Sequence, residues 1–459
     1  MRCLTFAETL RWAGWRCAFL TNADARDAVP ALCRSGVDLV DSVKGRAFDL
    51  AVVDHYGLDA SYERSISTEG ARVVVFDDLA DRAHDCELLV DPTPGRSETD
   101  YRAAVPERTR LLLGPRYAMI ADTWLSRRSA ARARLAHAEK IERVFVSMGG
   151  IDAGNATARV LAALTAARLD ARINVVLGAQ APHRDEIARL QNDRVVLHVA
   201  HPDIAALAAQ ADLAIGAAGT SSFERAVLGL PSIMIPLADN QKTVAAAFAD
   251  AKAAEILESA MLDNPLAAGE RIAAVARDAE RRREISRRAA ALTDGRGRLR
   301  LLASIAGDTA AQSGQTVHLR LAEAEDEAWL LELQQQEMTR RFARNPAAPA
   351  AAEHAAWFAA ALEDRTRLLT IVAVGDEPCG MLRLDRMPGT LPTFEISIAI
   401  DSRWHRTGVA RAALALARRL APGADLVAMV KPENAPSLAL FAAAGYTAEG
   451  GDLYRCRAA

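Results

Sequence analysis

The sequence has six cysteines and no C-x-x-C pair among Cys3, Cys17, Cys33, Cys86, Cys379 and Cys456. That scatter excludes a disulfide framework or a zinc motif and suits small buried thiols in a reducing compartment. No apolar run approaches the roughly 18 residues that a membrane-crossing helix needs. The amphipathic start, with Glu8 inside it, does not read as a signal peptide, so a cytoplasmic chain is expected. A formal net charge of −3 gives no reason to expect a nucleic-acid partner or an anionic membrane surface. One further lack is topological. An α/β chain normally sets a strand and a ligand-binding turn ahead of its first helix. Here the helix comes first, with Leu4, Ala7 and Leu10 as its apolar stripe and Gly14 as its stop, and Cys17–Leu20 follows as a strand. The expectation is that a first strand, and the part of a site its turn would carry, are not encoded in these residues.

What is present fits about three domains in 459 residues. Residues 1–135 alternate apolar strands (50–53, 73–76, 88–90, 111–113) with helices or loops, and 123–140 read as an exposed connecting helix. Runs such as Val73-Val74-Val75 are continuously apolar, as in a parallel sheet covered on both faces. Residues 136–305 repeat the pattern, with strands near 144–146, 173–176, 195–197, 213–215 and 232–235 and a charged terminal helix over 270–293. Residues 306–316 are small and polar, a linker by composition. From 317 to 459 consecutive strands with hairpin-like spacing are mixed with helices, an α+β module. The predicted fold class is α/β: a pair of doubly wound Rossmann-type lobes, then the separate α+β domain.

Three clusters in the first two blocks carry chemistry. Asp54-His55-Tyr56-Gly57 follows an apolar strand and offers a carboxylate, an imidazole and a phenol that could position water or move a proton; it could equally be a capped turn. Ser147-Met148-Gly149-Gly150 lies between strand and helix, where glycines let amides approach an anion, though such a pair is a tight connection about as often. The longest runs from Gly216 through Gly219-Thr220-Ser221-Ser222 to Glu224, then Ala238-Asp239-Asn240-Gln241. Its small hydroxyl-rich turn could hold a diphosphate, Glu224 the two ribose hydroxyls, and Asn240 and Gln241 would face a sugar.

This third cluster resembles the donor-nucleotide lobe of GT-B glycosyltransferases. Residues 1–305 more closely resemble the UDP-sugar hydrolases of pseudaminic acid biosynthesis, on Asp54-His55-Tyr56-Gly57, Phe76-Asp77-Asp78, Leu113-Gly114-Pro115-Arg116-Tyr117, Ser147-Met148-Gly149-Gly150 and Ala238-Asp239-Asn240-Gln241 in that order. The resemblance implies a GT-B-like fold and release of UDP from UDP-2,4-diacetamido-2,4,6-trideoxy-β-L-altropyranose by water attack at the anomeric carbon. It implies that Gly149, Gly150 and Gly219 to Ser222 hold the diphosphate, that Glu224 binds ribose, and that Tyr56 supports the base, with Asp54 and His55 beside it. Arg2-Cys3-Leu4 matches the tail of the family's first glycine-rich motif, whose histidine would precede Met1. The expectation is therefore of an N-terminally shortened lobe that hydrolyses poorly.

The last block resembles the GNAT acyltransferases. His405-Arg406-Thr407-Gly408-Val409-Ala410, opening a helix after the strand 394–400, is a version of their pyrophosphate loop, with His405 where Gln or Arg is usual. Asn434-Ala435-Pro436-Ser437 matches their second cofactor segment. The resemblance implies that Arg406, Thr407, Gly408, Val409, Ala410, Asn434 and Ser437 bind acetyl-CoA as cosubstrate, with no metal. Phe441 stands where many members have a tyrosine acid, and Glu395 is a candidate base or a plain surface carboxylate. Because N-acetylation of an amino sugar nucleotide precedes the UDP-hydrolase step in that pathway, the resemblance implies a bifunctional enzyme acting on a UDP-amino-sugar, with other enzymes of the pathway as partners. Three readings compete with it: a GT-B glycosyltransferase fused to an acyltransferase, a nucleotide-sugar-binding lobe with acetylation as the sole activity, and a GNAT domain with an unrelated amine acceptor.

Overall fold

The computed structural model describes residues 1–21, 26, 29, 31–43 and 45–458. The chain forms two compact units, one of Met1–Phe6 with Ala18–Arg298, the other of Ala7–Cys17 with Leu299–Ala459.

The first unit is α/β with parallel sheets throughout. Four strands, Leu50–Val53, Arg72–Phe76, Leu88–Asp91 and Arg110–Leu113, lie side by side in chain order, and a separate parallel pair joins Ala18–Leu20 to Asp38–Val40. The strands Arg72–Phe76 and Leu88–Asp91 are buried almost throughout, which is why they read as unbroken apolar runs. The larger sheet has six parallel strands in the order Glu255–Ile256, Ser232–Ile235, Leu213–Ala217, Arg143–Ser147, Arg172–Leu177, Val195–Val199. Numbered along the chain that order is 6-5-4-1-2-3, the doubly wound arrangement. Its switch point lies between Arg143–Ser147 and Leu213–Ala217, and ligands of such sheets bind beyond the strand ends at this point.

The structure divides two helices that the sequence reading ran together. Residues 265–292 form Pro265–Arg277 and Ala279–Leu292, broken at Asp278, whose extended backbone and side chain cap the second helix through the Arg281 amide. The stretch 123–140 forms Asp122–Leu125 and Arg128–Ala136.

The second unit is built on an eight-stranded mixed sheet in the order Asp308–Ala310, Thr316–Leu321, Arg367–Val374, Glu377–Arg386, Thr393–Ile400, Asp425–Met429, Leu453–Cys456, Thr447–Gly450. All neighbours are antiparallel except Thr393–Ile400 and Asp425–Met429. The helix Val409–Leu420 covers it with a buried stripe of Val409, Ala412, Ala413, Leu416, Ala417 and Leu420, the spacing of one helical face.

Two sequence expectations change here. The supposed linker 306–316 contains the edge strand Asp308–Ala310, because small residues pair in a sheet as readily as they make a spacer. Residues 7–17, read as part of the first lobe, pack in the second unit. The Trp12 ring meets Phe394 edge-on at 4.9 Å, and Trp15 Nε1 donates to the Leu420 carbonyl at 3.0 Å. Gly14 has φ +93° and lies so close to Gly423 that a Cβ on the latter would be 2.1 Å from the Gly14 carbonyl oxygen. Glycine is needed on both sides of that approach.

Candidate active sites

In the first unit the doubly wound sheet brings two of the three clusters together. Ser147 and Gly216 are partners in register at the switch point, so the Met148–Gly150 turn and the Ala217–Ser222 turn leave adjacent strand ends. Gly149 takes φ +93°, and the Gly150 carbonyl accepts the Gly178 amide at 2.9 Å. The helix that follows, Ala156–Ala167, is capped from within. Asp152 accepts the amides of Ala156 (2.8 Å) and Thr157 (2.9 Å), and Asn155 accepts that of Ala158 (3.4 Å). Sequence reasoning pointed to this helix start for an anion; its own carboxylate takes those donors, leaving the glycine turn before it.

The Ala217–Ser222 turn is braced from beneath by Arg225, which is 1% exposed. Its guanidinium donates to the Ala217 carbonyl (2.9 Å), Ser221 Oγ (3.1 Å) and Ser222 Oγ (3.1 Å). A Cβ at Gly216 would come within 2.8 Å of Arg225 Nη1, so this glycine makes room for the brace. Around Gly219 there is open space. Burial pushes the Glu224 carboxyl up to about 7 against the opposing pull of Arg225, and lowers the Arg225 guanidinium to about 10. Arg225 is a positioning residue that the sequence reading passed over, and an arginine directly after the helix's first acidic residue was its only signal.

The Asp54-His55-Tyr56 cluster separates into three roles. Arg2 grips Asp54 through Nε, at 3.1 Å from both carboxylate oxygens, and Nη2 at 2.7 Å, while the Cys3 thiol donates to Oδ2 at 3.3 Å. Burial would raise the Asp54 carboxyl, but these hydrogen bonds and the Arg2 charge outweigh it and hold it below its ordinary value. A carboxylate so held is a poor proton acceptor. The His55 ring turns back on its own loop, Nδ1 accepting the Gly57 amide at 2.9 Å. Tyr56, 52% exposed, is the member that reaches outward. Its hydroxyl donates to Asp78 Oδ2 at 3.3 Å and accepts from Asn240 Nδ2 at 3.4 Å, joining residues 184 positions apart in sequence.

Asp78 was part of a motif in the sequence but had no role there. The structure gives it Tyr56 and Arg2 (Nη1, 3.1 Å), and its Oδ1 is buried with no hydrogen-bond partner among the described residues. Gln241, expected beside Asn240, instead accepts the Leu237 amide through Oε1 at 3.0 Å and closes its own helix start.

In the second unit the parallel strands Thr393–Ile400 and Asp425–Met429 pair only through Thr393, Phe394 and Glu395. Beyond Glu395 they diverge, opening a wedge in the sheet. Arg406 (φ +62°) and Gly408 (φ +90°) fold the loop at its mouth. Thr407 Oγ1 donates to the Trp404 carbonyl at 2.6 Å and lies 3.4 Å from the Val409 amide, and Val409 and Ala410 begin the helix. Residues 312–313 pack against this loop: the Ser313 amide donates to the Thr407 carbonyl (3.0 Å), and a Cβ at Gly408 would be 2.5 Å from the Gln312 nitrogen.

Asn434 caps the helix Ala435–Ala443 by accepting the Ser437 amide at 3.3 Å. Glu395 is paired with Arg344. Phe441 is buried edge-on to Tyr446 at 4.9 Å; the Tyr446 hydroxyl has no hydrogen-bond partner among the described residues, and burial raises its phenol. A splayed parallel pair with a tightly folded loop at its mouth fits an extended acyl-carrying cosubstrate. Among the described residues no group of three or more His, Cys, Asp or Glu side chains is placed to hold a metal, and no helix is long and apolar enough to cross a membrane.

These geometries define a nucleotide-sugar-type Rossmann unit and an acetyltransferase module in one chain. Residues 144–295 match the glycosyltransferase family 28 C-terminal domain, and residues 316–447 match the acetyltransferase (GNAT) domain, so acetyl-CoA is the cosubstrate of the second unit. The chain is 26% identical over 212 residues to the UDP-2,4-diacetamido-2,4,6-trideoxy-beta-L-altropyranose hydrolase of Campylobacter jejuni, covering 45% of this chain and 73% of that protein. It is 26% identical over 222 residues to the spore coat polysaccharide biosynthesis protein SpsG of Bacillus subtilis (47% and 64%), and 24% identical over 211 residues to an uncharacterized protein of Methanocaldococcus jannaschii (44% and 43%). The chain thus spans between 43% and 73% of the length of these curated relatives. It joins a homologue of the UDP-sugar hydrolase and SpsG to a GNAT acetyltransferase domain.

Proposed function

We propose that the chain is a bifunctional enzyme of sugar-nucleotide biosynthesis. Its first unit hydrolyses UDP-2,4-diacetamido-2,4,6-trideoxy-β-L-altropyranose to release UDP, and its second acetylates an amino sugar nucleotide from acetyl-CoA, in pseudaminic acid formation. The observation that supports the hydrolytic half is the hydrogen bond from Asn240 to the Tyr56 hydroxyl, a phenol able to handle a proton beside the segment that follows the turn assigned here to the nucleotide. Glu224, near 7, donates to or accepts from the ribose hydroxyls, and Gly149, Gly150 and Gly219 to Ser222 supply amides and hydroxyls to the diphosphate. Tyr56 and Asn240 address the sugar and the attacking water. In the second unit the Arg406–Ala410 loop, Asn434 and Ser437 seat the cosubstrate, which supplies the acetyl group. Glu395 lies where the strands part, and once the acceptor displaces the exposed Arg344 side chain it takes the proton from the acceptor amine.

The test is the intact chain with the UDP-linked diacetamido sugar and no acceptor, followed by UDP release. Release without acceptor supports hydrolysis, acceptor-dependent release would replace it with glycosyl transfer, and UDP binding without release would leave acetylation as the sole activity. In parallel, consumption of acetyl-CoA with the 4-amino precursor, and none with simple polyamines, supports the assigned acceptor.

A further inference from the structure

We propose that residues 340–346 of the second unit form a phosphate subsite for the acceptor. Arg341 and Arg344 take the diphosphate of an amino sugar nucleotide, and drawing Arg344 onto it uncovers Glu395. The proposal rests on the acetyltransferase half of the reading above.

Between the helices Glu327–Gln335 and Ala351–Glu363 the chain lines a cavity of about 290 Å³ with Gln335, Glu337, Arg340, Arg341, Pro346 and Ala348. Small-molecule sites begin at roughly 300 Å³. From 337 to 346 the sequence is Glu-Met-Thr-Arg-Arg-Phe-Ala-Arg-Asn-Pro, in which Glu337 is outnumbered by arginines.

The arginines are differently employed. Arg340 builds the loop: Nη1 donates to Gln334 Oε1 at 3.0 Å, and Nη2 to the Asn345 carbonyl, closing the turn. Asn345 Oδ1 in turn accepts the Ala347 amide at 3.0 Å. Arg341 is exposed, its guanidinium 5.2 Å from the Phe342 ring centre, and it has no ion pair among the described residues. The Arg344 side chain, 69% exposed, meets Glu395.

The same loop reaches the reacting end of the sheet. Lys431 Nζ donates to the Ala343 carbonyl at 2.8 Å, just beyond the strand Asp425–Met429, and Glu395 pairs with Val427 where the parallel strands begin to part. Arg341 and Arg344 are separated by at most about 11 Å of chain. One hexose ring and its substituents bridge a diphosphate at the first to an amine at the second.

Guanidinium groups bind phosphate oxygens in paired hydrogen bonds. An ion pair through so exposed an arginine is weak, so a diphosphate competes well with the single Glu395 carboxylate for Arg344. A polyamine meets repulsion here, and a sugar without phosphate leaves Glu395 covered. Once uncovered, Glu395 takes the amine proton. The amine nitrogen bonds to the acetyl carbon as the carbon–sulfur bond breaks, its electron pair leaving on sulfur, and water protonates the thiolate.

The test is acetyl transfer by the intact chain to the UDP-linked 4-amino sugar, its 1-phosphate and the free amino sugar. Arg341→Ala should raise KM for the UDP-linked sugar about 30-fold, with KM for acetyl-CoA within about twofold, and Arg341→Lys should restore part of it. Arg344→Ala should have opposite effects on two acceptors: a KM about tenfold higher for the UDP-linked sugar, and a kcat about fivefold higher for the free sugar, because Glu395 is already uncovered. A merely structural loop would weaken both acceptors alike, and that result, or unchanged KM in both alanine variants, overturns the subsite while leaving the acetyltransferase standing. A KM for the 1-phosphate as low as for the UDP-linked sugar overturns the nucleotide as its ligand. A parent chain inactive on the UDP-linked amino sugar overturns the reading beneath the proposal.

Discussion

The two units build their sites from different materials. In the acetyltransferase unit the site is mostly backbone: parallel strands that part beyond Glu395 and Val427, and a loop that needs φ +90° at Gly408. In the nucleotide-sugar unit it is mostly side chains, with Arg2, Asp54, Tyr56, Asp78 and Asn240 drawn from segments far apart in sequence. A backbone site should fail through shape and a side-chain site through charge.

Removing charge should have the largest effect. Arg2→Ala leaves two partly buried carboxylates without their cation, and should destabilise the first unit by about 3 kcal/mol in chemical unfolding. The pH dependence has a definite sign. Asp54 is depressed in the folded chain, so its stabilisation is complete above the unfolded carboxylate value of about 3.9 and is lost as pH falls through the lower folded value. The variant should show a flatter acid limb of stability than the parent, and an unchanged limb would break the side-chain half of the comparison.

Shape comes next. Gly408→Val meets both a left-handed backbone and the Gln312 nitrogen, and should cut acetyl transfer by about 100-fold, equivalent to about 2.7 kcal/mol. Acetyl-CoA turnover measures it, and a variant with ordinary turnover would show that the loop does not depend on this conformation. Trp12→Ala removes an aromatic contact on Phe394, next to Glu395, and should lower the stability of the second unit by about 2 kcal/mol, seen as an earlier transition in a thermal melt. If only the first unit softened, residues 7–17 would not belong where they pack. Least affected is Gln241→Ala, which loses one cap on the Leu237 amide, worth about 1 kcal/mol, with UDP release within about twofold of the parent. A large loss of release would return Gln241 to the sugar.

The same contrast governs what was legible in the sequence. The parallel strands declared themselves as unbroken apolar runs, and the loops at 147–150, 216–222 and 405–410 lie at the strand ends where glycine and small residues announced them. Short-range backbone requirements leave short-range signatures. The partners of Tyr56 left none, because nothing local ties Asp78 or Asn240 to a phenol 22 and 184 residues away. The capping of Ala156–Ala167 by Asp152 was hidden for a related reason: a carboxylate after a glycine pair reads as part of a ligand turn until its oxygens are seen on the helix amides. Composition misled at 306–316, where small polar residues form a strand against Thr316–Leu321 and pack on the Thr407–Gly408 loop.

The most direct test of two sites of different construction is to measure both activities on both site variants of the intact chain. Tyr56→Phe should lose UDP release and keep acetyl transfer within about threefold, and Gly408→Val should do the reverse. Loss of both activities in either variant, at unchanged overall folding by circular dichroism, would contradict the assignment of one self-contained site to each unit.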